Sequence, residues 1–214
     1  MKSQGDDRTT PAWPGAGAAG DAEDAERTTL IGAVQGEPDP DAGKRRSTTR
    51  WHGGLDFALL VLRVVLGGTM LGHGLQKLFG LFGGPGIGGF ADALSSTFGF
   101  TDYTTLLSWI TAVTETVGGA LLILGLFTPL AAAGLLGVAA SVVYVQFNGG
   151  FFGEPSGFEY ELLLAACAFA LLFTGAGRLA VDVNTPWRRK PMPYGVLGLL
   201  LAAAACVVIL VSFH

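Results

Sequence analysis

From Phe57 onward the chain returns repeatedly to long apolar runs, and a bilayer-crossing helix needs about 20 mostly apolar residues. Five such runs stand out: 57–79, 106–127, 130–147, 160–174 and 194–213. Thr128-Pro129 punctuates the second and third, and the fourth is the shortest, as for a tilted or partly buried helix. A soluble helical protein would show polar faces at helical spacing. Segments 121–126 and 197–210 show none. The expected fold class is therefore all-α, an integral membrane helical bundle.

Composition agrees once the chain is divided. Hydrophobic residues make up 50% of the chain and charged residues 14%, against roughly a quarter charged in soluble domains. Residues 1–54 are the opposite: acidic, rich in Gly, Ala and Pro, and poor in large hydrophobes. Such a segment cannot bury enough surface to offset its ordering entropy, so a disordered cytoplasmic tail is expected there. Most of the acid behind the net charge of −4 sits in that tail, so the charge does not predict a cationic partner. Nothing points to nucleic acid. The amino terminus lacks the early apolar region of a cleavable signal, and the first span should act as an uncleaved anchor.

Basic residues give an orientation. Lys44, Arg45, Arg46 and Arg50 precede the first span, and Arg178, Arg188, Arg189 and Lys190 lie between the fourth and fifth. Segments 81–105 and 148–161 carry no Lys or Arg. By the positive-inside rule the amino terminus and the connector 183–193 are cytoplasmic, and the carboxyl terminus is outside. A multi-pass plasma-membrane protein is expected, with lipid as its first partner. Trp51, Tyr103, Trp109 and Trp187 near span ends fit interfacial positions. Gly67, Gly68, Gly72, Gly118, Gly119, Gly134 and Gly137 would let helices approach closely, with Gly68 and Gly72 as one small-xxx-small pair. The same density is compatible with a homo-oligomer. In the first outer loop, Phe90, Leu94 and Phe98 recur every fourth residue, as for an amphipathic segment lying on the outer membrane surface.

Ionisable groups inside spans are costly and usually face the bundle interior. The first span carries Arg63, His73 and Lys77. At about 100° per residue all three share one face with Met70. Arg63 lies about 10 Å in from the cytoplasmic end and Lys77 near the outer end, with His73 about 6 Å deeper. Glu115 sits near the middle of the second span. A long Arg63 side chain could reach it, as a functional pair or as one that only locks two helices together. Gln146, Asn148, Glu159, Tyr160 and Glu161 gather at the depth of Lys77 and His73, which makes a candidate polar site at one end of the bundle. Taken singly, Lys77 could simply snorkel to the headgroups, and the two glutamates could be ordinary helix N-terminal acids.

What is missing limits the chemistry. Of the histidines His52, His73 and His214, only His73 lies inside a span, which argues against bis-histidine haem and a His-rich metal site. Cys167 and Cys206 form no CxxC pair and read as small buried hydrophobes. No covalently bound cofactor and no metal is expected. Redox chemistry here would use a diffusible carrier such as a quinone, or a partner's cofactor.

The run LRVVLGGTMLGHGLQKLFGLFGGPGIGGFADAL resembles the first span and loop of DoxX-family membrane proteins. The resemblance continues through ETVGGALLILGLFTPLAA, FNGGFF and GFEYELLLAACAFALLFTGAGRLAVD, covering about residues 57–182. It implies a four-helix membrane domain over 55–182, with residues 194–214 as an additional helix. It also implies a link to oxidoreductase systems, since the family includes a subunit of a thiosulfate:quinone oxidoreductase and members associated with secreted antioxidant enzymes. The motif positions carried over are Arg63, His73, Gly74, Lys77, Glu115, Asn148, Gly149, Glu159, Arg178 and Asp182, and Gly72 belongs to the same stretch. Members often place a histidine shortly before the Asn-Gly pair, where this chain has Tyr144 and Gln146. The expected roles, in order, are a membrane component of an oxidoreductase system using quinone or an outer-face redox protein, a non-catalytic scaffold for an exported partner, and a small-solute carrier.

Overall fold

The computed structural model describes residues 53–153, 157–182 and 184–213. The expectations for the acidic tail, Trp51, His52 and His214 lie outside these residues. The described chain is all-helical: α1 (Gly53–Phe79), α2 (Gly86–Ser96), α3 (Thr104–Leu124), α4 (Thr128–Gln146), α5 (Glu159–Thr174), the short α6 (Pro186–Arg189) and α7 (Pro191–Phe213). Single 3₁₀ turns, Leu81–Gly83 and Phe147–Gly149, follow α1 and α4. Helices α1, α3, α4 and α7 are long and apolar enough to cross a membrane, and α4 reaches that length together with its 3₁₀ turn. The fourth expected span is α5, whose 16 residues extend only about 24 Å. That falls short of a hydrocarbon core of about 30 Å. Helices α1 and α3 run antiparallel, as do α3 and α4, while α7 runs parallel to α4, so the bundle has an Arg63 end and a Lys77 end.

The α3–α4 corner shows how sequence sets a boundary. Gly125 adopts φ 66°, a conformation costly for residues with a Cβ. Its N–H donates to Leu122 O at 3.0 Å, and the Leu126 N–H to Leu121 O at 2.9 Å. These two bonds satisfy carbonyls that the helix end leaves open. Phe127 is also left-handed, at φ 47°, and Pro129 then opens α4, where a missing N–H costs nothing.

Helices α1 and α3 form the most extensive contact in the bundle. A Cβ on Gly67 would lie 2.7 Å from Gly119 O, and one on Gly119 would lie 2.6 Å from Gly67 O. A Cβ on Gly74 would lie 2.2 Å from Thr116 Oγ1. The close approach therefore runs through Gly67, Gly74 and Gly119. The small pair expected from sequence, Gly68 and Gly72, does not make it: neither would meet anything within 4 Å. At 100° per residue the one-residue offset from Gly67 to Gly68 turns the latter off the contact. Between the other helices the core is built of Leu and Ala, including Leu66, Leu122, Ala132, Leu135, Ala168, Leu171 and Leu172.

Helix α2 is amphipathic as expected, but its apolar face is turned onto the bundle rather than left for lipid. Leu94 is buried with Phe100 and Leu107, and Phe90, Phe98, Val145, Ile209 and Leu210 pack against them. The helix closes the Lys77 end because α1, α3, α4 and α7 leave apolar surface there that it covers.

The difference between the two kinds of glycine is measurable. Gly74→Val should lower the stability of the detergent-solubilised protein by about 1–3 kcal/mol, the usual cost of overpacking. Gly72→Val should change it little. Equal thermal shifts for the two variants would show that α1 does not approach α3 in this register.

Candidate functional site

A cavity of about 430 Å³ lies between α1, α2, α3, α4, α5 and α7 at the Lys77 end. Its body is apolar, lined among others by Met70, Leu94, Ile110, Val138, Val142 and Ile209. Its polar wall is formed by His73 and Lys77 of α1, Thr111, Thr114 and Glu115 of α3, Ser141 and Gln146 of α4, and Tyr160 and Glu161 of α5. This volume falls within the usual range for small-molecule sites, as does the composition: mostly apolar walls with a few convergent polar groups.

The centre of the polar wall is an ion pair between Lys77 Nζ and Glu115 Oε1. Glu115 is 3% exposed and Lys77 18%. The α1–α3 register explains how the two meet. With Gly74 against the Ala112–Thr116 turn, Lys77 stands about one helical turn, roughly 5 Å, beyond the level of Glu115. Side chains on a helix lean towards its amino terminus. In an antiparallel pair those leans converge, so Lys77 reaches inwards and Glu115 reaches towards it. Lys77 Nζ also sits 4.7 Å from the centre of the Phe90 ring, a cation–π contact that ties α2 to the same group. His73 Nε2 lies 3.3 Å from the Tyr160 hydroxyl, joining α1 to α5.

Two carboxylate oxygens in this wall are buried without a hydrogen-bond partner among the described residues: Glu115 Oε2 and Glu161 Oε2. Buried polar atoms are nearly always paired, so such atoms call for an explanation. A short stripe on α4 completes the wall, and Ser141 Oγ donates to Cys206 Sγ at 3.3 Å. Thr111, Thr114 and Ser141 were not singled out from sequence. The available signal was spacing: Thr111 lies one turn before Glu115, and Gly134, Gly137 and Ser141 follow one face of α4. Cys206 is half-buried and lines the cavity rather than sitting in the core.

The sequence-derived candidates divide between the two ends. His73, Lys77, Glu115 and Glu161 come together in the cavity, with Gln146 and Tyr160. Asn148 and Glu159 are exposed and do not line it. A Cβ on Gly157 would lie 2.4 Å from Glu159 Oε2, so that carboxylate folds back onto its own loop. Gly149 lies in the 3₁₀ turn after α4, its carbonyl 1.7 Å from where a Cβ of Gly153 would stand.

Arg63 does not reach Glu115. It precedes Lys77 by 14 residues, about 21 Å along α1, and it turns to the opposite end. There its Nη2 donates to Leu179 O, in a place where a Cβ on Gly125 would overlap Nη1. The guanidinium is fully buried. Its Nε and Nη1 have no partner among the described residues. Asp56, also buried and not singled out from sequence, accepts the Arg178 N–H at 2.7 Å. Asp182 accepts the Phe127 N–H and, at 3.0 Å, the Trp187 indole N–H. Arg178 and Asp182 thus belong to a clamp that holds the segment after α5 onto α1 and the α3–α4 corner. Among the described residues no group of three or more His, Cys, Asp or Glu is placed to hold a metal.

Comparison with known proteins adds the following. Residues 58–147 match the family model described as DoxX. A Bacillus subtilis (strain 168) protein named "Putative oxidoreductase CatD" is 29% identical over 128 residues, covering 59% of this chain and 86% of the relative. No solved structure matches the chain.

Breaking the ion pair from one side leaves a buried charge uncompensated, which typically costs 3–5 kcal/mol. Lys77→Met alone should therefore destabilise the protein by about 3 kcal/mol. The double variant Lys77→Met/Glu115→Leu should recover most of that loss in thermal unfolding. A double variant no more stable than Lys77→Met would mean the two groups are not coupled.

Proposed function

This chain is a DoxX family protein, and from that premise we propose that it is the membrane component of an oxidoreductase system, taking a lipid-soluble carrier of the quinone class into the cavity beside Lys77 and Glu115. The observation that carries this reading is an apolar cavity of about 430 Å³ whose polar wall holds a cation, an imidazole and two carboxylates at one end of the bundle. A quinone head needs donors for its oxygens and its ring and tail need apolar walls. Lys77 and His73 supply N–H groups, and Thr111 and Thr114 supply hydroxyls. Glu115 and Glu161 stand where a proton could be taken or returned. Glu159, a candidate site residue from sequence, lies outside the cavity and has no part in this reading. Bound carrier supplies the two-electron chemistry. The chain's own residues orient the head group, exclude water and hold protons at the carboxylates.

Orientation belongs to the same proposal. The Arg63 end, with the basic connector after Asp182, faces the cytoplasm by the positive-inside rule. The cavity then opens in the outer half of the membrane, next to an outer-face redox partner. A second reading, a scaffold for an exported protein, is favoured by aromatic side chains exposed at that end: Phe82, Phe147 and Phe152. The two readings part at the cavity, because a scaffold has no use for His73 and Lys77 there.

The test is direct. Full-length protein purified from native membranes should carry a quinone detectable by mass spectrometry. His73→Leu should lower its occupancy at least tenfold while the protein remains folded. Val142→Trp, which fills cavity volume without touching the ion pair, should abolish it. Protein that carries no quinone and takes up none when it is added would sink the reading. For orientation, Ser95→Cys in intact cells should react with an impermeant maleimide, and Arg189→Cys only after lysis.

A further inference from the structure

The unpaired carboxylate oxygens say more about the ligand than the cavity's size does. Lys77 is already committed to Glu115 Oε1, yet Glu115 Oε2 and Glu161 Oε2 remain buried without a hydrogen-bond partner among the described residues beside the same cavity. Carboxylates therefore outnumber the one lysine in this wall. An anionic ligand would meet repulsion with no lysine or arginine left free among the described residues lining the cavity to offset it. A ligand whose oxygens can only accept leaves both carboxylate oxygens facing lone pairs, at the cost of a buried unmet acceptor. A hydroxyl does otherwise, because it accepts from Lys77 and donates to a carboxylate at once.

Resting on the quinone reading above, we propose that the cavity recognises its ligand through hydroxyl groups delivered to Glu115 and Glu161. It therefore holds the reduced, dihydroxy form of the carrier more tightly than the oxidised, dicarbonyl form. Glu115 takes one hydroxyl in the reach of Lys77, and Glu161 takes a second from α5. The apolar body of the ligand lies against α4 and α7. Preference of this kind pulls the bound couple towards its reduced state, which suits a site that receives reducing equivalents and releases them only to a stronger acceptor.

The experiment compares a short-chain benzoquinone with its hydroquinone by calorimetric titration of the full-length protein in lipid nanodiscs, kept anaerobic. The hydroquinone should bind at least tenfold more tightly. Tenfold corresponds to a rise of about 30 mV in the potential of the bound two-electron couple, which redox titration reads independently. Glu161→Gln keeps the shape and the α5 position but replaces an acceptor oxygen by a donor, and should bring the ratio of affinities close to one. Glu159→Gln, on a carboxylate outside the cavity, should leave the ratio unchanged. Equal or tighter binding of the benzoquinone would overturn this proposal while leaving the quinone reading in place. So would a ratio insensitive to Glu161→Gln in a variant that binds and folds normally. Binding of neither form would overturn both.

Discussion

The buried Lys77–Glu115 pair depends on a backbone contact made elsewhere, and most of the structure follows from that contact. In lipid, apolar faces gain little by meeting, so helices associate through close packing and polar contacts. Gly67, Gly74 and Gly119 let α1 and α3 approach until a Cβ at any of them would overlap backbone or side-chain atoms of the other helix. That approach fixes the register. The register places a lysine one turn above a glutamate on an antiparallel neighbour, where the lean of both side chains brings them together. Lys77 then receives Phe90 from α2, and α2 closes the end of the bundle with Leu94. The cavity is what remains between this closed corner and α4, α5 and α7.

The two ends of the bundle use charge in different ways. At the Arg63 end, ionised side chains serve the backbone: Arg63 holds Leu179 O, Asp56 holds the Arg178 N–H, and Asp182 holds the Phe127 N–H. Charged hydrogen bonds to main-chain groups are strong and directional. Here they fasten a loop of little regular structure to a corner of two left-handed residues. At the Lys77 end the charges face each other and a cavity, and oxygens stay unpaired. Buried polar atoms without a partner among the described residues occur at both ends, Arg63 Nε and Nη1 at one and Glu115 Oε2 and Glu161 Oε2 at the other. Both ends also carry an arginine or lysine and a pair of acids, so what separates clamp from site is the cavity beside the second group.

Length and hydropathy made the helices legible in the sequence, and the polar stripe on the first span pointed to the end where the cavity lies. His73, Lys77 and Glu161, read from sequence to one end of the bundle, line one cavity in the structure, because position along the bundle follows from counting residues along helices. What the sequence could not supply was register between helices. Arg63 and Glu115 looked like neighbours because each was placed on its own span with no information about the sliding of one against the other. The acceptor Arg63 finds is a backbone carbonyl of Leu179, 116 residues away, and a carbonyl carries no sequence signature. The glycine pair failed similarly: Gly67 and Gly68 are equivalent in composition, and only the neighbour's position decides which faces it. Helix α2 was read correctly in its pattern but not in its destination, since an amphipathic face fits a bilayer or a protein equally well.

The cavity joins parts of the chain with different standing. His73, Lys77 and Glu115 fall within residues 58–147, the stretch that matches the family model. Leu201, Ala205, Cys206 and Ile209, which close the opposite side, belong to α7 and lie beyond it. Small residues there make room: Ala202 and Ala205 stand where larger side chains would fill the space. Part of the polar wall thus lies within the matched stretch, while Tyr160 and Glu161 of α5 and the lining residues of α7 lie beyond it. The matched stretch alone therefore does not set the size of the cavity, whose wall on α7 lies beyond it.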